Sequence, residues 1–111
     1  MNSRYLVAAL YKFVTLEAFA ELREPLQGAC RENGVMGTIL LAHEGINGTI
    51  SGPEQGIRAV IDWLRNQSRF SDLDVKYSWS DHPPFYRMKV RLKKEIVTLG
   101  VPDVDAANEA G

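Results

Sequence analysis

Cysteine is almost missing from these 111 residues: Cys30 stands alone, which excludes an internal disulfide framework and a four-cysteine zinc site. Long apolar runs are missing as well, none approaching the roughly 20 residues of a membrane-crossing helix. The opening Met1-Asn2-Ser3-Arg4-Tyr5 enters a strand-like run without the apolar block and cleavage site of a secretion signal. The chain therefore reads as cytoplasmic, with no membrane partner. Net charge is nearly absent, at -1, so any attraction for nucleic acid must be local. Two histidines and one distant cysteine give no metal-ligand spacing, and no metal site is expected. A glycine-rich phosphate loop is also lacking, because Gly45-Ile46-Asn47-Gly48 has neither the Walker spacing nor its Lys-Ser/Thr ending.

What remains is an ordinary folded composition, 45% hydrophobic and 24% charged, in a length that suits one domain. Tyr5 to Val14 reads as a first strand with apolar side chains on both faces, interrupted only by Lys12, which suggests cover on both sides. Thr15 is a plausible cap for a helix running to about Asn33, with Phe19, Leu22, Leu26 and Ala29 as its buried stripe and Gly34 as its left-handed stop. Gly37 to His43 and Gly48 to Ser51 read as strands joined by Glu44-Gly45-Ile46-Asn47. Pro53 opens a second helix, with Ile57, Val60, Ile61 and Leu64 inward. Leu73 to Ser80 is a further strand, Asp81 to Pro84 a stiff loop, and Phe85 to about Val97 a long basic strand.

The order strand, helix, strand, strand, helix, strand predicts an α+β, ferredoxin-like split βαβ: an antiparallel sheet with two helices on one face, plus an extra C-terminal strand. The domain is expected over residues 1–100. Residues 101–111, alanine-rich and acidic, read as a linker or tail.

Few residues carry chemistry. A strand over the basic segment puts Arg87, Lys89, Arg91 and Lys93 on one face and Met88, Val90 and Leu92 on the other, so one element offers a core anchor and an anion platform. The competing reading is a soluble edge strand protected from aggregation by its lysines. His43, Glu44, Gly45, Asn47 and Gly48 place an imidazole, a carboxylate and an amide on one hairpin. Three readings stay open for them: an acid-base pair, a docking loop, or turn chemistry alone. Cys30 lies near the buried stripe of the first helix and reads as a small hydrophobe. Tyr5, Tyr11, Phe13, Tyr77, Trp79 and Phe85 offer stacking surfaces for bases, but no segment matches the RNP1 pattern of RNA recognition motifs.

Three groups of residues carry a family resemblance: Ala9-Leu10-Tyr11-Lys12-Phe13; Gly37 to Ala42 with Glu44-Gly45-Ile46-Asn47-Gly48-Thr49; and Pro84-Phe85 with Arg87 through Pro102. In this order they resemble the bacterial rhodanese-domain proteins described as tRNA uridine hydroxylases, formerly an uncharacterised protein family. The resemblance implies oxygen-dependent conversion of a wobble uridine to 5-hydroxyuridine, with molecular oxygen as co-substrate and no cofactor in this domain. It also implies a following rhodanese-like domain that carries the essential cysteine, which Cys30 does not match. On this reading the chain is an accessory domain, inactive alone. Arg87, Lys89, Arg91 and Lys93 then contact the tRNA anticodon arm, and the hairpin docks onto the rhodanese-like domain or the tRNA. Two alternatives remain: a structural brace for that domain, and a small acylphosphatase-like enzyme using Asn47.

Overall fold

A computed structural model of the chain describes residues 4–93. Five strands, β1 (Tyr5–Phe13), β2 (Met36–Ala42), β3 (Gly45–Gly52), β4 (Asp74–Ser80) and β5 (Met88–Leu92), form one sheet in the order β4-β1-β3-β2-β5. Two helices, α1 (Arg23–Glu32) and α2 (Glu54–Arg65), cover one face. This is the expected ferredoxin-like arrangement. The strand proposed to reach Val97, the boundary near residue 100 and the tail over 101–111 fall partly or wholly outside the described residues.

The core is built by the period of each element. Leu6, Ala8 and Leu10 of β1, Ile39 and Leu41 of β2, Ile46 and Ile50 of β3, and Met88 and Val90 of β5 point to the helices. There they meet Leu26 and Cys30 of α1 and Ile57, Val60, Ile61 and Leu64 of α2, all buried. The stripe read for the second helix is thus the observed one. Cys30 replaces Ala29 in the first, and Phe19 and Leu22 pack only partly against the core.

The first helix is shorter than expected. Thr15 caps nothing; its carbonyl accepts a 2.7 Å hydrogen bond from Arg69 Nη1, and a short 3₁₀ turn over Phe19–Leu22 precedes α1. Pro25 is the reason. Within a helix begun at Thr15 its ring would strike the Glu21 carbonyl, whereas in the first turn of α1 its missing N–H costs nothing. Gly34 ends α1 at φ +71°, donating to the Arg31 carbonyl while Val35 donates to that of Cys30, the paired bonds of a Schellman stop.

The extra fifth strand, whose direction the sequence left open, pairs in parallel with β2, so the sheet is mixed. Geometry dictates it. Chain direction leaves Ser80 at one end of edge strand β4, level with Tyr5. Residues 81–87 then cross to the far edge, over four strand spacings or about 19 Å, and deliver the chain level with the start of β2. The eight Cα–Cα steps from Ser80 to Met88 reach about 28 Å when fully extended, so the strap has slack, part of it taken up where the His82 N–H turns back onto Ser80 Oγ at 3.2 Å, and Pro83-Pro84 stiffen the rest.

The second face of β1 has no cover among the described residues. Tyr5, Val7, Ala9, Tyr11 and Phe13 share it with Asn47, Thr49 and Ser51 of β3. Phe13 remains 50% exposed and packs edge-to-face with Tyr11 at 5.3 Å. Among the described residues, the helices supply the expected cover on the core side of β1.

Candidate nucleic-acid interface

Lys89 and Arg91 lie within β5, opposite Thr38 and Leu40 of β2, and point to the helix-free face. The ladder extends one residue each way: the Gly37 N–H donates to the Arg87 carbonyl at 2.7 Å, and the Lys93 N–H to the Leu41 carbonyl at 2.9 Å. Arg87, Lys89, Arg91 and Lys93 thus follow one another at the strand period, about 7 Å apart, and all four are exposed. Among the described residues none of them forms an ion pair. The opposite side of the strand is apolar, with Met88 and Val90 buried against α1, where Gln27 Nε2 donates to the Met88 carbonyl. A buried anchor holds the strand, so its cations are displayed rather than consumed.

Across the bare face the cross-strand partners form rows. One runs Lys76, Ala9, Thr49, Thr38, Lys89; the next runs Asp74, Tyr11, Asn47, Leu40, Arg91. The first row has a lysine at each edge with Ala9 and two threonines between them, whereas the second runs from the Asp74 carboxylate to Arg91 over Tyr11, Asn47 and Leu40. The stacking aromatics proposed from sequence are split by this geometry. Tyr5, Tyr11 and Phe13 share the bare face, whereas Tyr77 and Trp79 lie on the other side of β4, where Arg58 and Arg4 stack on them at 5.3 and 5.4 Å.

The hairpin is tighter than the sequence suggested. Ala42 pairs with Gly45, so His43 and Glu44 form the exposed two-residue tip, while Ile46 is buried and Asn47 belongs to β3. Both tip carbonyls are used: that of Glu44 accepts from the Val14 N–H at 2.9 Å and that of His43 from the Leu16 N–H at 2.8 Å. Gly45 sits at φ +145°, and a Cβ there would strike the Lys12 carbonyl oxygen; at Gly48 it would strike the Thr38 carbonyl oxygen. Close strand packing accounts for both glycines. The tip stands beside the end of β5, since Leu41 and Lys93 are hydrogen-bonded.

Nucleophilic and metal chemistry find little here. Burial pushes the Cys30 thiol up from its ordinary value of 9.0 to about 12, so the thiolate is not formed at neutral pH. Among the described residues no cluster of three or more His, Cys, Asp or Glu could hold a metal ion. A groove of about 550 Å³ beside Asn47 is lined by Asp74 and Lys76 but by no arginine, and the Asp74 carboxylate opposes the binding of an acyl phosphate there. Lys12, the polar break in β1, is bonded at 2.9 Å to Asp72, whose carboxyl it holds below the ordinary value.

One residue of the basic strap escaped the sequence. A strand beginning at Phe85 would put Tyr86 on the inward face with Met88. Because β5 begins only at Met88, Tyr86 turns outward and is 81% exposed. It borders a groove of about 380 Å³ lined by Thr38, Pro84, Phe85, Arg87 and Lys89. Nothing in the local sequence signals this, because it depends on where the strand starts.

Fold and surface together define an acylphosphatase-like α+β domain whose helix-free sheet face ends in a cationic strand. The chain belongs to the family described as the UPF0176 acylphosphatase like domain, whose model matches residues 5–96. It is 55% identical over 109 residues to a tRNA uridine(34) hydroxylase of Acaryochloris marina, covering 98% of this chain and 35% of that protein. A protein of the same name from Rhizobium etli is 58% identical over 107 residues, covering 96% and 35%. The chain spans about a third of the length of the curated relatives it matches. Among solved structures, an acylphosphatase from Bacillus subtilis matches with a TM-score of 0.56 at 13% identity, over 80% of this chain and 99% of that one. The structure titled BlrP1 BLUF matches with a TM-score of 0.65 at 11% identity, over 85% and 66%. These likenesses show the fold alone. Among the described residues no helix is long and apolar enough to cross a membrane.

Proposed function

We propose that this chain is the RNA-holding accessory domain of a tRNA uridine(34) hydroxylase, gripping the anticodon arm while a rhodanese-like domain, supplied by the rest of the protein, oxidises the base with molecular oxygen. The observation that carries the reading is the row Arg87, Lys89, Arg91 and Lys93, exposed and without ion pairs among the described residues, on a strand of a chain whose relatives bear that name. Each cation that neutralises a phosphate of single-stranded RNA adds about 0.7 to the slope of log affinity against log salt. The tip His43-Glu44, with Gly45, Asn47 and Gly48 fixing its approach, serves in this reading as the docking loop for the rest of the protein, because the chain leaves β5 beside it.

The test is a salt series of anticodon stem-loop binding by the 111-residue chain and by its Arg87→Ala/Lys89→Ala/Arg91→Ala variant. The variant is expected to bind more weakly, with a slope shallower by about 2. An unchanged affinity and slope would sink the phosphate assignment. That result would favour the structural brace, a reading supported by the edge position of β5, where cations also guard against strand pairing.

A further inference from the structure

The groove between the strap and the β2–β5 edge differs from the rest of the cationic surface in joining aromatic and cationic groups without a carboxylate. Its lining is Thr38, Pro84, Phe85, Tyr86, Arg87 and Lys89. Its volume, about 380 Å³, is in the range of small-molecule sites, about 300–1,000 Å³. We propose that this groove holds one unpaired nucleotide, with its base stacked on Tyr86 and its flanking phosphates on Arg87 and Lys89. The assignment rests on the RNA reading above and names the subsite that distinguishes a single-stranded nucleotide from a duplex.

Four features carry it. Tyr86 presents its ring to solvent at 81% exposure, so a base can reach the π face. The ring is carried on a constrained backbone: Pro83-Pro84 precede it in the strap, and the next residue's carbonyl accepts from the Gly37 N–H at 2.7 Å. A platform fixed in advance binds without the cost of ordering a loop. The two cations of the groove stand on either side of buried Met88, and the Thr38 hydroxyl opposite Lys89 can donate to or accept from a base edge or a ribose hydroxyl. A paired base in a helix keeps its faces stacked on its neighbours, so the ring of Tyr86 can engage only a base that is unstacked.

Tyr86→Ala and Tyr86→Trp in the 111-residue chain, titrated with a short single-stranded RNA and with a blunt RNA duplex, test the subsite. Loss of the ring is expected to weaken single-strand binding about ten-fold while leaving duplex binding and the salt slope unchanged, because stacking rather than charge is removed. Tryptophan is expected to keep the wild-type affinity. The side chain is exposed, so the urea midpoint of both variants should match the parent and confirm the fold. If Tyr86→Ala binds the single strand as the parent does, while Lys89→Ala lowers affinity and slope, the subsite is wrong and the phosphate platform stands. If the parent chain binds neither RNA, the platform and the subsite fall together.

Discussion

At the scale of residues, the sequence showed what depends on neighbours along the chain and hid what depends on neighbours across the fold. Gly34 was legible as a helix stop, and Ile57, Val60, Ile61 and Leu64 as a buried stripe, because both follow from local period. Phe70 is completely buried yet was invisible, set among Ser68, Arg69, Ser71 and Asp72 with no period to mark it. Gly56 shows the difference most sharply. Helix propensity alone says that Gly56→Ala should stabilise by up to about 1 kcal/mol. In the fold a Cβ at that position would fall on the Asn33 carbonyl oxygen, where α2 crosses the end of α1. Backbone against backbone cannot yield cheaply, so the substitution is expected to destabilise by about 1–3 kcal/mol. Urea unfolding measures the sign directly, and a stabilised variant would refute the close approach.

Elements were legible in kind more than in extent. The four strands and two helices of the split βαβ were each anticipated, but Pro25 shortened the first helix, and β5 turned out shorter at its start, parallel, and at an edge. Its place is set by the strap rather than by its own residues, which is why strand propensity could not reveal it. The strap's stiffness has a measurable consequence. Replacing Pro83 and Pro84 together by glycine enlarges the unfolded ensemble that must be confined to one path, and each proline removed costs roughly 0.4–1 kcal/mol. A drop in urea midpoint at unchanged m-value is expected. An unchanged midpoint would mean that the two prolines do not constrain the strap.

For the whole molecule the decisive feature is the asymmetry of the sheet: one face carries the helices and the core, the other carries Lys76 beside Asp74 at one edge and Lys89 and Arg91 at the other, with Asn47, Thr49 and Thr38 set among the apolar side chains of β1 between them. The candidate interface was legible as a row of charges because strand period needs no tertiary information, whereas the contribution of β4 was not, since Lys76 joins Ala9, Thr49, Thr38 and Lys89 only through the sheet order. An RNA backbone lying across the bare face would reach both edges, whereas one following β5 alone would not. Lys76→Ala separates the two: a crossing backbone loses one phosphate contact and the salt slope becomes shallower by about 0.7. Arg31→Ala is the control, an exposed cation on α1 and hence on the opposite side. If Lys76→Ala behaves as Arg31→Ala and neither moves the slope, the RNA runs along the β5 edge alone. If both lower it equally, binding is general attraction to positive charge and no face of the sheet is its site.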